Sequence, residues 1–298
     1  MSRRIGARTK LAGVVGWPLG HTLSPAMHNA AYEALGLDWV YLSLPVPEEG
    51  HLIRVFGCLK VLPFVGVNVT MPYKQAALVL CDEVAMQAQM AGAVNTVHVS
   101  EGRLIGYNTD GRGLLEALSD AGVEVAGKRI ALIGAGGAAG AAFVGFVLAR
   151  AASIAVLNRS VRRAEELVER MRPHLRDTAA EVLPLAPSSA EAVRTADLVV
   201  NATSVGMRAD EPSPVPVEWL HAGHVVCDVV YRGQPTALLA AAKAAGATTV
   251  DGLQMLVRQG AIAIDIWSEN TTAPAPRDVM LAAAREAAGD SSDRGAEQ

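Results

Sequence analysis

From Ile130 to Ala149 the chain runs for twenty residues without a charge, and five of those twenty are glycine. A neutral stretch of that length is long enough to span a bilayer. The placing of the glycines argues otherwise. They cluster as Gly134-Ala135-Gly136-Gly137-Ala138-Ala139-Gly140, after the apolar run Ile130-Ala131-Leu132-Ile133 and before an Ala-rich segment. A strand, a tight turn and a helix account for that order, and a membrane helix does not.

The same alternation continues on both sides. Residues 153–158, 197–203, 225–230 and 248–250 read as short strands, and residues 137–150 and 160–171 as helices. Strand–helix–strand alternation of this kind implies a parallel sheet with helices on its faces. Upstream, residues 11–16, 39–46 and 65–70 are strand-like. Ser24 reads as an N-cap with Pro25 at the first helical position of a helix to about residue 35. Residues 94–100 and 103–107 pair as a hairpin across Glu101-Gly102. Helices over 253–267 and 277–288 follow, and 289–298 read as a frayed polar tail.

With 298 residues, 51% of them hydrophobic, the chain has the material for about two domains. A net charge of −4 shows no basic surplus, which argues against nucleic acid as a partner. Cys58, Cys81 and Cys227 are odd in number, far apart and without metal spacing, so a reducing compartment, the cytoplasm, is expected. The seven histidines form no zinc pattern, and no metal is expected. Glycine and proline interrupt the apolar N-terminal stretch, so neither a signal peptide nor a membrane partner is expected.

The glycine turn has a chemical reading. Glycine lets a backbone approach a pyrophosphate, and the following helix N-terminus favours its negative charge. The bland alternative is a tight turn with close helix packing. The strand before, the helix after and a second strand ending at Asn158 favour a dinucleotide site. NAD sites carry an acidic residue after that second strand. Here Asn158-Arg159-Ser160 stands there, followed by Arg162 and Arg163. Guanidinium groups suit a 2′-phosphate. A basic first helical turn otherwise opposes the helix dipole.

A second site rests on Lys74 and Asp110. Lys74 closes Asn68-Val69-Thr70-Met71-Pro72-Tyr73-Lys74, and Asp110 lies in Asn108-Thr109-Asp110-Gly111. Each run turns from apolar to polar, as a strand does when it delivers side chains to a rim. A carboxylate can hold an ammonium in place, and partial burial favours the neutral amine, so the pair can handle a proton. On spacing alone, a surface ion pair or two unrelated loop residues is the favoured reading. The neighbouring hydroxyls and amides shift the weight: Thr22 and Ser24 in Gly20-His21-Thr22-Leu23-Ser24-Pro25, and Asn95 in Gly92-Ala93-Val94-Asn95-Thr96. They suit a small polyhydroxylated acid.

These runs, with the glycine turn and Asn201-Ala202-Thr203-Ser204-Val205-Gly206-Met207, stand in an order that resembles the shikimate dehydrogenase family, from Gly16 to about Met280. The resemblance implies an α/β fold of two domains with a deep cleft between. Residues 1–110, completed by the helices of 253–288, would bind substrate; residues 111–252 would form a Rossmann-like, doubly wound NADP-binding domain. It implies reversible NADPH-dependent reduction of 3-dehydroshikimate to shikimate, in a monomer or homodimer. Lys74 would be the proton donor and acceptor, with Asp110 as its partner. Substrate would be held by Thr22, Ser24, Thr70, Lys74, Asn95, Asp110, Tyr231 and Gln259. The family's NADP motif maps onto Asn158, Arg159, Ser160 and Arg163, with serine where threonine is usual. The cofactor set is completed by Gly134, Gly136, Gly137, Ala138, Ala139, Thr203, Ser204, Gly206, Met207, Val229, Gly252 and Met255, with the 201–207 run near the nicotinamide.

Two departures keep alternatives open. Most of the family has serine where Thr22 stands, and the extra methyl crowds the carboxylate end, which keeps quinate and an amino analogue in play. The loop after Tyr231 has Gly233 where the family usually has proline. A non-catalytic NADP-binding sensor on the same scaffold is the rival of another class, and the retained Lys74–Asp110 pair argues against it. The Thr-Leu-Ser-Pro and Asn-Thr-Asp-Gly runs disfavour a folate-type dehydrogenase.

Overall fold

A computed structural model describes residues 5–294. They fall into two compact units: residues up to Thr109 together with those from Val257 on, and Asp110–Leu256.

The first unit opens with β1 (Lys10–Gly16), α1 (Ser24–Ala34), β2 (Trp39–Pro45), α2 (Leu52–Leu59) and β3 (Phe64–Val69). It continues through α3 (Ala77–Leu80), β4 (Glu83–Val84), α4 (Met86–Ala91), β5 (Thr96–Ser100) and β6 (Arg103–Tyr107). The sheet order is β2-β1-β3-β5-β6-β4. β1 is parallel to β2 and β3, whereas β5 runs antiparallel to both β3 and β6. The β5–β6 hairpin turns at Glu101 (φ 51°) and Gly102 (φ 74°), the two positive values that a tight two-residue hairpin turn requires. Val15, Phe56, Val67, Tyr73, Val97 and Leu104 form the buried cluster on one face of this sheet.

The strand directions decide where the polar residues go. The carboxyl ends of β1, β3 and β6 and the amino end of β5 lie at one edge, because Asn68 pairs with Thr96 and Thr96 pairs with Tyr107. The segments carrying Thr22, Thr70, Lys74, Asn95 and Thr109 all leave or enter the sheet there.

The second unit begins with α5 (Asp110–Asp120), β7 (Arg129–Ile133), α6 (Gly137–Leu148), β8 (Ser153–Asn158), α7 (Val161–Met171) and β9 (Ala179–Pro184). Then come α8 (Ala190–Arg194), β10 (Leu198–Asn201), β11 (Val225–Asp228), α9 (Ala237–Ala244) and β12 (Thr248–Val250). The order β12-β11-β10-β7-β8-β9, with every pair parallel, is the doubly wound arrangement expected from the alternation. Ile133, Leu157, Val199, Trp219, Val226 and Leu238 are buried together against it. Glycine sets the fit of α5 on α6: a Cβ at Gly111 would collide with the Ala141 carbonyl, and one at Gly145 would lie 3.0 Å from the Gly111 carbonyl oxygen.

α10 (Gly252–Trp267) carries the chain from the second unit back to the first, and α11 (Arg277–Arg294) packs beside α1. α11 continues past Ala288, where a tail was expected; residues 295–298 of that tail lie outside the described residues. β9 was not foreseen. It is an edge strand with neither face fully buried, so it has no continuous apolar run to reveal it. Among the described residues no helix is long and apolar enough to cross a membrane, and no cluster of His, Cys, Asp or Glu is placed to hold a metal ion.

Candidate active site

In the first unit the polar edge is built around Asn95, which is 2% exposed. Its Oδ1 accepts from the Thr109 amide at 2.8 Å and the Thr96 hydroxyl at 3.1 Å. Its Nδ2 donates to Thr109 Oγ1 at 3.0 Å and Gln259 Oε1 at 3.3 Å. Thr96 Oγ1 in turn accepts from Asn68 Nδ2 at 3.1 Å, and Asn68 Oδ1 accepts from the Tyr41 hydroxyl at 2.8 Å. All six side chains are buried or nearly so, and buried polar groups persist only when satisfied in this way. Asn95 and Gln259 were foreseen in the site. Tyr41, Asn68, Thr96 and Thr109 were not.

Lys74 is half-buried on the turn that follows β3. The turn is pinned from both sides of that lysine. The buried Tyr73 hydroxyl donates to the Val46 carbonyl at 2.7 Å, and the Lys74 carbonyl accepts from the Val94 amide at 2.8 Å. Thr70, also half-buried, follows the last residue of β3, and its amide donates to Val15 at 2.9 Å. Gly16 makes this approach possible, since a Cβ there would strike the Thr70 methyl.

Ser24 corrects the expectation of an N-cap. It is the first residue of α1, buried, and the cap position belongs to Leu23, which has no side-chain cap bond. The amide of Ser24 instead donates to Thr22 Oγ1 at 3.4 Å, so the threonine hydroxyl serves the helix start and leaves the Ser24 hydroxyl out of capping. A hydroxyl that accepts can still donate its proton. Thr22 and Ser24 therefore present donors beside a helix N-terminus, a combination suited to a carboxylate.

In the second unit the glycine turn joins β7 to α6 at the point where strand order reverses. Gly134 takes φ +116°, and a Cβ there would lie 3.0 Å from the Ala202 carbonyl oxygen and 3.1 Å from the Thr203 methyl. Only glycine meets both demands. Gly136, by contrast, faces open space. Gly137, Ala138 and Ala139 form the first turn of α6, which carries no acidic residue. Asn158 Nδ2 donates to the Ser160 carbonyl at 2.9 Å and holds the turn after β8. Ser160 sits at the N-cap of α7 with no side-chain cap bond. Arg162 pairs with Glu166 at 2.8 Å, while the exposed Arg159 and Arg163 form no ion pair among the described residues. Two unpaired guanidinium groups beside an open glycine turn and a helix N-terminus free of acids fit a phosphorylated dinucleotide.

Across β7 from that basic turn lie β10 and β11. Thr203, Ser204, Gly206 and Met207 form the turn after β10, organised by Asn201, whose Oδ1 accepts from Thr203 Oγ1 at 2.7 Å. Val229 follows β11, and the Gly252 backbone packs so tightly on its carbonyl that a Cβ would collide. Met255 is buried on α10. β11 ends at Asp228, two residues short of the strand expected over 225–230, and Tyr231 lies in the loop beyond. Desolvation pushes its phenol above the ordinary range. The loop that departs from the family pattern is folded on itself, with Arg232 donating to the Gln234 and Pro235 carbonyls at 3.1 and 2.7 Å. Asp228 and Thr236, unforeseen, underpin this region through a 2.6 Å hydrogen bond.

Comparison with known proteins identifies the family. The model of the shikimate dehydrogenase substrate binding domain matches residues 14–97, and that of shikimate / quinate 5-dehydrogenase matches residues 116–209. The NADP(+) shikimate dehydrogenase of Citrifermentans bemidjiense is 46% identical over 89% of this chain and 91% of its own length. That of Methanopyrus kandleri is 42% identical over 96% and 98%. Among solved structures, Thermus thermophilus shikimate 5-dehydrogenase in complex with NADP(H) and shikimate is 38% identical and superposes with a TM-score of 0.83, covering 93% of this chain and 99% of that one. The chain belongs to the shikimate dehydrogenase family.

Proposed function

We propose that this protein reversibly reduces the ring ketone of 3-dehydroshikimate to shikimate with NADPH, a step in chorismate and aromatic amino-acid biosynthesis. The supporting observation is the sheet edge at which the segments carrying Thr22, Thr70, Lys74 and Asn95 leave or enter, with Gln259 of α10 hydrogen-bonded to Asn95 and the Ser24 amide to Thr22. That set can hold a ring acid without a metal. The three free cysteines accord with a cytoplasmic enzyme.

When bound, NADPH supplies the hydride; Arg159, Arg163 and the glycine turn are the residues that would hold it. The remaining work belongs to the chain. Thr22 and Ser24 donate to the substrate carboxylate, while Thr70, Asn95, Tyr231 and Gln259 take the ring hydroxyls. Lys74 donates a proton to the carbonyl oxygen as charge develops on it and takes a proton from the hydroxyl in reverse. An ammonium serves both as the acid and as the stabiliser of the oxyanion. Asp110 orients Lys74 and accepts from a substrate hydroxyl. Its backbone follows Thr109 directly, and Thr109 is fixed to Asn95.

Thr22 favours a second reading, oxidation of quinate, because its hydroxyl accepts from the Ser24 amide and its extra methyl would crowd a carboxylate bound there. Initial rates of nicotinamide reduction with shikimate and quinate, each with NADP and NAD, separate the readings. Fast turnover with shikimate and NADP supports the main one, and a preference for quinate supports the second. NADP binding without turnover on either acid would refute both and favour a sensor.

A further inference from the structure

The doubly wound sheet assigns sides to a dinucleotide. β8 and β10 flank β7 in the sheet order. With the 2′-phosphate on the basic turn after β8 and the pyrophosphate on the glycine turn after β7, the other nucleoside must extend toward the ends of β10 and β11. A fully buried carboxylate, Asp228, closes β11 at that place. Its parallel partner across the sheet is Asn201, the last residue of β10.

Asp228 joins three segments. Its Oδ1 accepts from Asn201 Nδ2 at 2.8 Å and from the Val230 amide at 3.0 Å. Its Oδ2 accepts from the Thr236 hydroxyl at 2.6 Å, and Thr236 is also the N-cap of α9. Asn201, so held, accepts from the Thr203 amide at 3.1 Å and donates to the Val205 carbonyl at 3.0 Å. Gly206, at φ +103°, packs with its α-carbon face on Thr236, where a Cβ would lie 3.3 Å from the methyl. The turn after β10 thus takes its shape from a carboxylate that does not belong to it. Burial raises the Asp228 pKa, and the hydrogen bonds from Thr236, Val230 and Asn201 oppose that rise. Packed apolar residues are commonly at least as stable as such a buried charge, so its presence fits a geometric duty.

We propose that Asp228 is a positioning residue that sets the turn after β10 for the nicotinamide half of the dinucleotide, an inference that rests on the NADP reading above. The test is Asp228→Asn, nearly identical in shape, which replaces one acceptor oxygen with a donor. Adenosine 2′,5′-bisphosphate carries the phosphate read by Arg159 and Arg163 and lacks the nicotinamide half, so it probes the other side alone. The expected result is a loss in kcat of about tenfold or more, with bisphosphate affinity held within about twofold. Thr236→Val should lower kcat in the same direction, and Thr236→Ser should restore it. That pair decides the matter if the aspartate variant does not fold. A folded Asp228→Asn enzyme with wild-type kcat overturns the inference, as does a parallel loss of bisphosphate affinity, which would mark a merely structural role. A wild-type chain that binds no bisphosphate refutes the dinucleotide reading itself, and the inference with it.

Discussion

Acid should destabilise this protein through a buried imidazole. His28 is fully buried on α1, one turn after Ser24, with its ring stacked 4.0 Å from that of Tyr41. Its Nδ1 lies 2.9 Å from the Ser24 carbonyl oxygen. A carbonyl only accepts, so Nδ1 carries the proton and Nε2 a lone pair, which has no partner among the described residues. Burial pushes the His28 pKa from 6.5 down to about 4, and the bond to Ser24 only partly opposes this. Between those values the unfolded chain binds a proton that the folded one refuses. Stability is therefore complete above the unfolded pKa and falls as the pH falls toward the folded one. At about 1.4 kcal/mol per pH unit across the gap, the loss comes to roughly 3 kcal/mol, a large share of a typical folding free energy. His28→Phe keeps a flat ring against Tyr41 and cannot titrate. Urea unfolding followed by tryptophan fluorescence, from about pH 7 to about pH 4, should give a wild-type stability that declines more steeply than that of the variant. Parallel declines across that range would refute the assignment.

Lys74→Ala should lower kcat by about 10²–10⁴-fold with a much smaller change in KM, measured at saturating NADPH, and near-normal turnover would remove the lysine from the chemistry. Arg159→Ala and Arg163→Ala should each raise the KM for NADP by about tenfold or more, since a charge-assisted hydrogen bond contributes about 1.5–3 kcal/mol. The KM for NAD should stay put, and equal losses for both cofactors would show that neither guanidinium reads the 2′-phosphate. Gly66→Ala drives a methyl into the Trp267 indole and the Val97 carbonyl. Overpacking of that kind costs about 1–3 kcal/mol or more, visible as a lower urea midpoint; an unchanged midpoint would mean that α10 shifts freely on its sheet.

The elements legible in the sequence were those with a local signature. β7, the glycine turn and α6 announced themselves because a short apolar run must be followed by glycine if the chain is to turn and bring backbone close to a ligand. The hairpin at Glu101-Gly102 was legible for a similar reason. Ser24 misled because serine before proline is a common N-cap pattern, and nothing local says that the hydroxyl two residues earlier takes part of the work. The Asn95 network was only half legible. Asn95 stood out as an amide in a recognisable run and Gln259 came only through the family resemblance, whereas Asn68 and Thr96 read as polar interruptions of apolar strands. Their meaning exists only once β3 and β5 pair and set one opposite the other.

The carboxylate that closes β11 was also within reach of the sequence. Asn201 and Asp228 are 27 residues apart, and neither belongs to a run that suggests a partner. Yet each is the polar residue that closes an apolar strand, after Leu198-Val199-Val200 and Val225-Val226-Cys227. β10 and β11 are parallel neighbours that begin and end in step, so their terminal residues Asn201 and Asp228 lie side by side. Two polar closures on neighbouring parallel strands of equal length thus form a facing pair at the carboxyl edge, where open α/β sheets bind ligands. An amide beside a carboxylate there forms a hydrogen bond directly, and the free lone pairs of the carboxylate can recruit the next loop. The sequence order Asn201, Asp228, Thr236 contains all three members. What it lacked was the sheet order, which makes β10 and β11 neighbours and turns two strand endings into one support.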